Sequence, residues 1–180
     1  MEEIVKGLER ALLTRPVPTG DTAVRFLLRA EKGSTKNVAA LLGISQRTVQ
    51  RWVTTRPGIR RRPSAVHAGL IDEAVRARWQ PLVRARRRAL AEADGFVLHT
   101  RARFGFAAPA GSSDDPQVRL ITQCLSGEVA RELFAGGGEQ QQLAILARAL
   151  GHAYFRDGGR RAHGLGIAFT DVEFADFSIG

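Results

Sequence analysis

The sequence predicts an α+β protein: an all-α, N-terminal helix-turn-helix region followed by a smaller mixed α+β domain. Three observations lead there. Apolar residues recur at helical spacing through residues 1–93, the pattern turns to strand-like alternation beyond Gly95, and positive charge collects in the first part. Lys+Arg outnumber Asp+Glu by 21 to 9 over residues 1–103, and are outnumbered 6 to 9 over 104–180. The boundary is expected at 93/94, giving a helical domain over 1–93 and an α+β domain over 94–180.

Each element has a local reason. Residues 2–14 read as a helix from Ile4, Val5, Leu8, Leu12 and Leu13. "RPVPTGD" (15–21) breaks it, and Thr19 or Asp21 is placed to cap the next helix, 22–31. Residues 34–55 carry a helix-turn-helix pattern, and "RPGIRRRPS" (56–64) is a basic break. A helical region follows from 65 to 93, interrupted or kinked by Pro81. "FVLHTRARFGF" and "QVRLITQCL" alternate like strands. Ser126 is placed to cap "GEVARELFA", and "GGG" at 136–138 separates it from the helix "EQQQLAILARALGHAYF". "DGGRRAHGLG" reads as a loop and "IAFTDVEFADFSI" as a last strand, either internal or an edge offered to a partner.

Composition narrows the function classes. With 44% hydrophobic residues in 180, the chain has material for a real core. No apolar run approaches the ~18 residues of a membrane span, and the acidic, amphipathic start does not resemble a secretory signal. One cysteine, Cys124, allows no internal disulfide and no Cys-rich zinc site. His67, His99, His152 and His163 lack helical metal-ligand spacing, so no metal site is expected; Walker-type phosphate cradles are absent too. A cytoplasmic location follows as the default.

The strongest motif is "NVAALLGISQRTVQRW", about 36–53. Val38, Ala39, Leu41 and Leu42 supply an apolar face, Gly43 suits a turn that needs positive φ, and Ile44 plugs the turn into the core. Ser45 caps the second helix, whose buried side continues through Val49 and Trp52. Gln46, Arg47, Thr48, Gln50 and Arg51 are left facing outward, a set able to read a major groove. Arg60, Arg61 and Arg62, and further on Arg84, Arg86, Arg87 and Arg88, are expected to add phosphate contacts. An ordinary helical hairpin with solvated arginines is the plain alternative.

A second group stands in "FGFAAPAGSSDDPQV". Ser112 and Ser113 precede Asp114 and Asp115, between Gly111 and Pro116. Read plainly, these are turn formers between two strands. Read chemically, a loop holds a hydroxyl clear of the core, and the carboxylates can attract a divalent cation or a metal-bound nucleotide.

Together, "NVAALLGISQRTVQRW", "RARFGFAAPAGSSDDPQVRLIT" and the closing "GIAFTDVEFADFSIG" resemble, in order and over most of the chain, the telomere terminal proteins of linear actinomycete replicons. The resemblance implies a protein covalently linked to the 5′ ends of linear chromosomes or plasmids, where a side-chain hydroxyl accepts the first deoxynucleotide and a polymerase extends it. It implies an acceptor rather than an enzyme, with no cofactor of its own. Divalent metal and deoxynucleotide come with the partner DNA polymerase. Telomeric DNA and a telomere-associated recruitment protein are the other implied partners, and the nucleoid at replicon ends the implied location. The family's acceptor is a threonine in the corresponding loop. Here Ser113 is the first choice and Ser112 the second, with Asp114 and Asp115 positioning metal or nucleotide. Thr100 and Thr122 are the nearest threonines, and Tyr154 is expected to pack in the core.

Two other readings stand beside this one. A helix-turn-helix transcriptional regulator would use the second domain to dimerise on a palindromic operator. A stand-alone nucleotidyl-transfer enzyme would turn over repeatedly.

Overall fold

Eight α-helices and three strands follow one another in the computed structural model, which describes residues 3–107, 113–155 and 166–180. They are α1 (Glu3–Ala11), α2 (Gly20–Ala30), α3 (Thr35–Leu42), α4 (Gln46–Val53), α5 (Ala65–Arg78), α6 (Pro81–Asp94), β1 (Phe96–Ala107), β2 (Ser113–Leu125), α7 (Gly127–Ala135), α8 (Glu139–Leu150) and β3 (Gly166–Ser178). The fold is α+β as expected, with the helix-turn-helix in its N-terminal helical part.

Packing divides the chain differently from the sequence pattern. One unit is Arg15–Pro81; the other joins Met1–Thr14 to Leu82–Gly180. The break near 93/94 therefore moves to the start of α6, and the mixed unit is the larger of the two, not the smaller. The reason lies in two helices whose amphipathic patterns did not name their partners. Ile4, Leu8 and Ala11 of α1, and Ala91 of α6, are buried in the same core as the sheet.

In the mixed unit the sheet order is β2-β1-β3, antiparallel throughout. Strand β1 alternates strictly: Phe96, Leu98, Thr100, Ala102 and Phe104 are buried, while Arg101 and Arg103 are exposed and Val97 and His99 half-buried. Thr100, the one polar group in that buried row, donates its hydroxyl to the Phe174 carbonyl at 2.7 Å. Register shifts between Arg101 and Ala102, and again between Arg103 and Phe104, give β3 extra residues while keeping Val172, Ala175 and Phe177 on the core side. Helix α1 lies so close to β3 that a Cβ at Gly7 would stand 2.1 Å from the Ala175 carbonyl oxygen. The carboxylate of Glu139, at the head of α8, accepts from the backbone N–H groups of Ile4 (3.2 Å) and Val5 (3.1 Å), supplying the open first turn of α1 with acceptors.

The helix expected through residue 155 changes character after Leu150, where Gly151–Phe155 form a π-helical turn. Tyr154, expected in the core, is 46% exposed on that turn, so this expectation is corrected: in the widened turn Gly151 stays buried and Ala153 stays against the core, while Tyr154 falls on the outer side. Ser126 occupies the N-cap position of α7, but its side chain accepts no bond from the first turn.

The basic unit has its own core of Ala23, Val24, Leu27, Val38, Ala39, Leu42, Val49, Trp52, Ile71 and Val75. Pro81 separates two helices rather than kinking one. α5 ends at Trp79 in extended backbone, Gln80 takes φ 50°, and Pro81 opens α6, where its missing N–H costs nothing. Trp79 is pinned inside the unit by its indole N–H, which donates to the Arg15 carbonyl at 3.1 Å, and by an edge-on contact with Phe26.

Candidate nucleic-acid interface

Reading DNA with a helix requires that the helix be exposed on one side and immobile on the other. The sequence around α4 provides both. Ser34 caps α3, its hydroxyl accepting from Asn37 N–H at 3.2 Å. At the end of α3, Gly43 takes the left-handed conformation, φ 66° and ψ 31°, which a side chain would strain. The chain then turns, Ile44 packs partly buried against the core, and the Ser45 hydroxyl accepts from Thr48 N–H at 3.2 Å to start α4. Val49 is fully buried and Trp52 nearly so, its ring 5.4 Å from that of His67.

The five outward residues of α4 divide into two kinds. Gln46 donates to the Thr35 hydroxyl at 3.0 Å, and the Thr48 hydroxyl lies 2.8 Å from that of Ser45; both help hold the turn. Arg47, Gln50 and Arg51 are exposed and form one wall of an open groove of about 500 Å³. The other wall comes from the segment after the helix: Thr54, Arg56, Gly58, Ile59 and Arg61. Four guanidinium groups line this groove, and among the described residues no carboxylate does.

The basic break expected as loose phosphate contacts is folded back on α4. Helix α4 ends at Thr54 in extended backbone, Ile59 N–H donates to the Arg56 carbonyl at 3.3 Å, and Arg61 N–H donates to the Arg51 carbonyl at 2.9 Å. Arg56 and Ile59 were not expected at the site. The Pro57-Gly58 pair was the available signal of a turn, though not of the direction it takes. Arg61 joins the groove as expected. Arg60 is instead paired with Asp21, and Arg62 borders a separate hollow with Gly20, Asp21, Pro63 and Asp72.

The arginines of α6 belong to the mixed unit and are not in this groove. Arg87 donates to the Ala11 carbonyl at 2.9 Å, at the end of α1. Arg88 pairs with Glu92 at 2.7 Å and stacks over the Phe134 ring at 5.2 Å. Arg84 also has a partner, while Arg86 is exposed.

The stretch expected as an exposed loop is partly strand: Ser113 opens β2 paired with Ala107, Asp114 pairs with Phe106, and Asp115 and Pro116 follow within β2, while residues 108–112 lie outside the described residues. Ser112, and the side chains of Ser113, Asp114 and Asp115, lie outside the described residues. Of the nearby threonines, Thr100 is 2% exposed with its hydroxyl donated, which removes it as an acceptor. Thr122 is exposed on the open face of the sheet, its hydroxyl 2.7 Å from His99 Nδ1. Among the described residues, no group of three or more His, Cys, Asp or Glu is arranged to hold a metal ion. No described helix is long and apolar enough to cross a membrane.

Comparison with known proteins bears on the same region. Residues 23–58 match a homeodomain-like domain, a span that takes in most of α2, all of α3 and α4, and the turn to Gly58. No curated protein and no solved structure matches the chain. The helix-turn-helix domain indicates DNA binding, and the arginine-lined groove lies on the exposed side of its second helix.

Proposed function

We propose that α4 lies in the major groove of duplex DNA and that the chain is a terminal protein, acting at DNA ends as a primer for replication. The observation that carries the first half is the single groove shared by Arg47, Gln50 and Arg51 with Arg56 and Arg61. Arginine and glutamine present the donors and acceptors that pair with guanine and adenine edges, and the arginines also take phosphates.

The second half is supported by the resemblance of "RARFGFAAPAGSSDDPQVRLIT" and the tail to terminal proteins, and by the place of Ser113 at the very start of β2, at the far end of its pairing with β1. In this reading the hydroxyl oxygen of Ser113, or of Ser112, attacks the α-phosphorus of a deoxynucleoside triphosphate. A phosphodiester to the protein forms, pyrophosphate leaves, and the hydroxyl proton passes to solvent. The polymerase brings the divalent ions and extends the new 3′ end, and a telomere-associated partner delivers the protein. Asp114 and Asp115 would help position the incoming nucleotide and its metal.

A regulator is the second reading, favoured by Val118 and Leu120, which are 40% and 64% exposed on the outer strand β2 and suit pairing of two copies. Intact-mass and peptide mapping of native protein, released from replicon ends by nuclease, separates the two. A nucleotide on Ser112 or Ser113 supports the primer. An adduct on Thr122 or Tyr154 keeps the role and moves the site. Unmodified protein found at internal palindromes, with half-sites about one helical turn apart, establishes the regulator instead.

A further inference from the structure

We propose that Ile59 contacts the 5-methyl group of a thymine in the major groove, making the turn after α4 a second element that reads sequence. This rests on α4 facing duplex DNA and not on the priming role. Ile59 lies one residue beyond the homeodomain-like match.

The turn is held at several points. Gly58 adopts φ +77°, which lets the chain reverse, and Ile59 N–H closes the reversal on the Arg56 carbonyl at 3.3 Å. The returning backbone is tied to the last turn of α4 by Arg61 N–H on the Arg51 carbonyl at 2.9 Å, and Arg60 is paired with Asp21. The position of Ile59 relative to the recognition helix is therefore set by the fold.

Its surroundings make the side chain unusual. Ile59 is 49% exposed and belongs to neither core, yet it lines the same groove as the guanidinium groups of Arg47, Arg51, Arg56 and Arg61. Those cations match phosphates and guanine edges. An isoleucine matches neither. On the major-groove edges of the base pairs, the apolar group is the thymine methyl. Isoleucine is branched at Cβ and stiff at χ1, so holding it against that methyl costs little side-chain freedom. Removing one methyl from such a contact is worth roughly fourfold in Kd.

The test begins with duplexes selected from a randomised library by the wild-type chain. Each thymine of the selected duplex is then replaced singly by deoxyuridine, which lacks only the methyl, and Kd is measured. The expected result is one position where wild type loses roughly fourfold and Ile59→Ala no longer distinguishes thymine from uracil, while Ile59→Val still does. The salt dependence of Ile59→Ala should match wild type, because no phosphate contact is removed. Thymine preference that persists unchanged in Ile59→Ala overturns the proposal. So does a wild type indifferent to uracil everywhere, including the case where Ile59→Ala weakens all duplexes alike. Failure of the underlying reading looks different: no duplex is selected, or Arg47→Ala with Arg51→Ala binds as wild type does.

Discussion

The two units of this chain differ most in charge. The helical unit, residues 15–81, carries 13 Lys+Arg against 4 Asp+Glu; the mixed unit carries 14 against 14. The whole net charge of +9 therefore belongs to the unit with the helix-turn-helix. Splitting the sequence near residue 103 blurred this, because it gave the basic half α1, α6 and the first part of β1. Regrouped by packing, the arginines sort by use. In the mixed unit Arg87 and Arg88 hold helices together, and Arg10 bonds the Ala175 carbonyl and Asp176. In the basic unit four arginines surround an open groove whose described lining holds no acidic residue. Nearly equal basic counts can thus describe a structural glue in one place and a polyanion-binding surface in another.

That comparison can be broken most severely at Trp52. Truncating a buried indole costs about 3–5 kcal/mol. Trp52→Ala should abolish DNA binding and strip amide protection from residues 20–78, leaving β1 and β3 protected. Protection lost in both units together would show that they do not unfold separately. Next in size is Arg51→Ala, expected to weaken duplex binding by roughly ten- to hundredfold and to lower the salt slope by about 0.9. Arg88→Ala, by contrast, should leave the slope where it was, and a reduced slope there would place α6 on the DNA after all.

The reciprocal test is Gly7→Ala. The new methyl meets the Ala175 carbonyl, which is backbone and cannot step aside, so a loss of about 1–3 kcal/mol is expected in thermal unfolding. Duplex affinity should stay within twofold of wild type. Ser45→Ala is the mildest change. It removes the cap of α4 at a cost of about 1 kcal/mol, with a matching small loss of DNA affinity. An unaltered affinity would mean that DNA itself holds the first turn in place.

Much of the DNA-binding unit was legible in the sequence because its determinants are local. Gly43, Ser45, Val49 and Trp52 announce the turn, the cap and the buried face within ten residues of one another. Arg47, Gln50 and Arg51 follow from the same periodicity. Gln46 and Thr48 look identical to them on a helical wheel, yet bond Thr35 and Ser45, and only the approach of α3 distinguishes them. The role of Arg56 and Ile59 depends on a chain reversal whose direction the Pro-Gly pair does not specify. The partner of α1 was less legible still. An amphipathic stripe says that one face is buried, while the strand it packs on, β3, begins 155 residues after α1 ends. The serines were singled out from chemistry and resemblance, not from periodicity, and the strand that begins at Ser113 was not read from the sequence.

The pairing of α1 with β3 also dictates an order of synthesis. A nine-residue helix is too short to persist alone in water, and the strand it packs on, β3, is made last of the described elements. Residues 15–81 lie wholly between these two, with a core whose buried residues all come from within that span. On the ribosome, the DNA-binding unit can therefore be complete while the neutral unit still waits for its final strand.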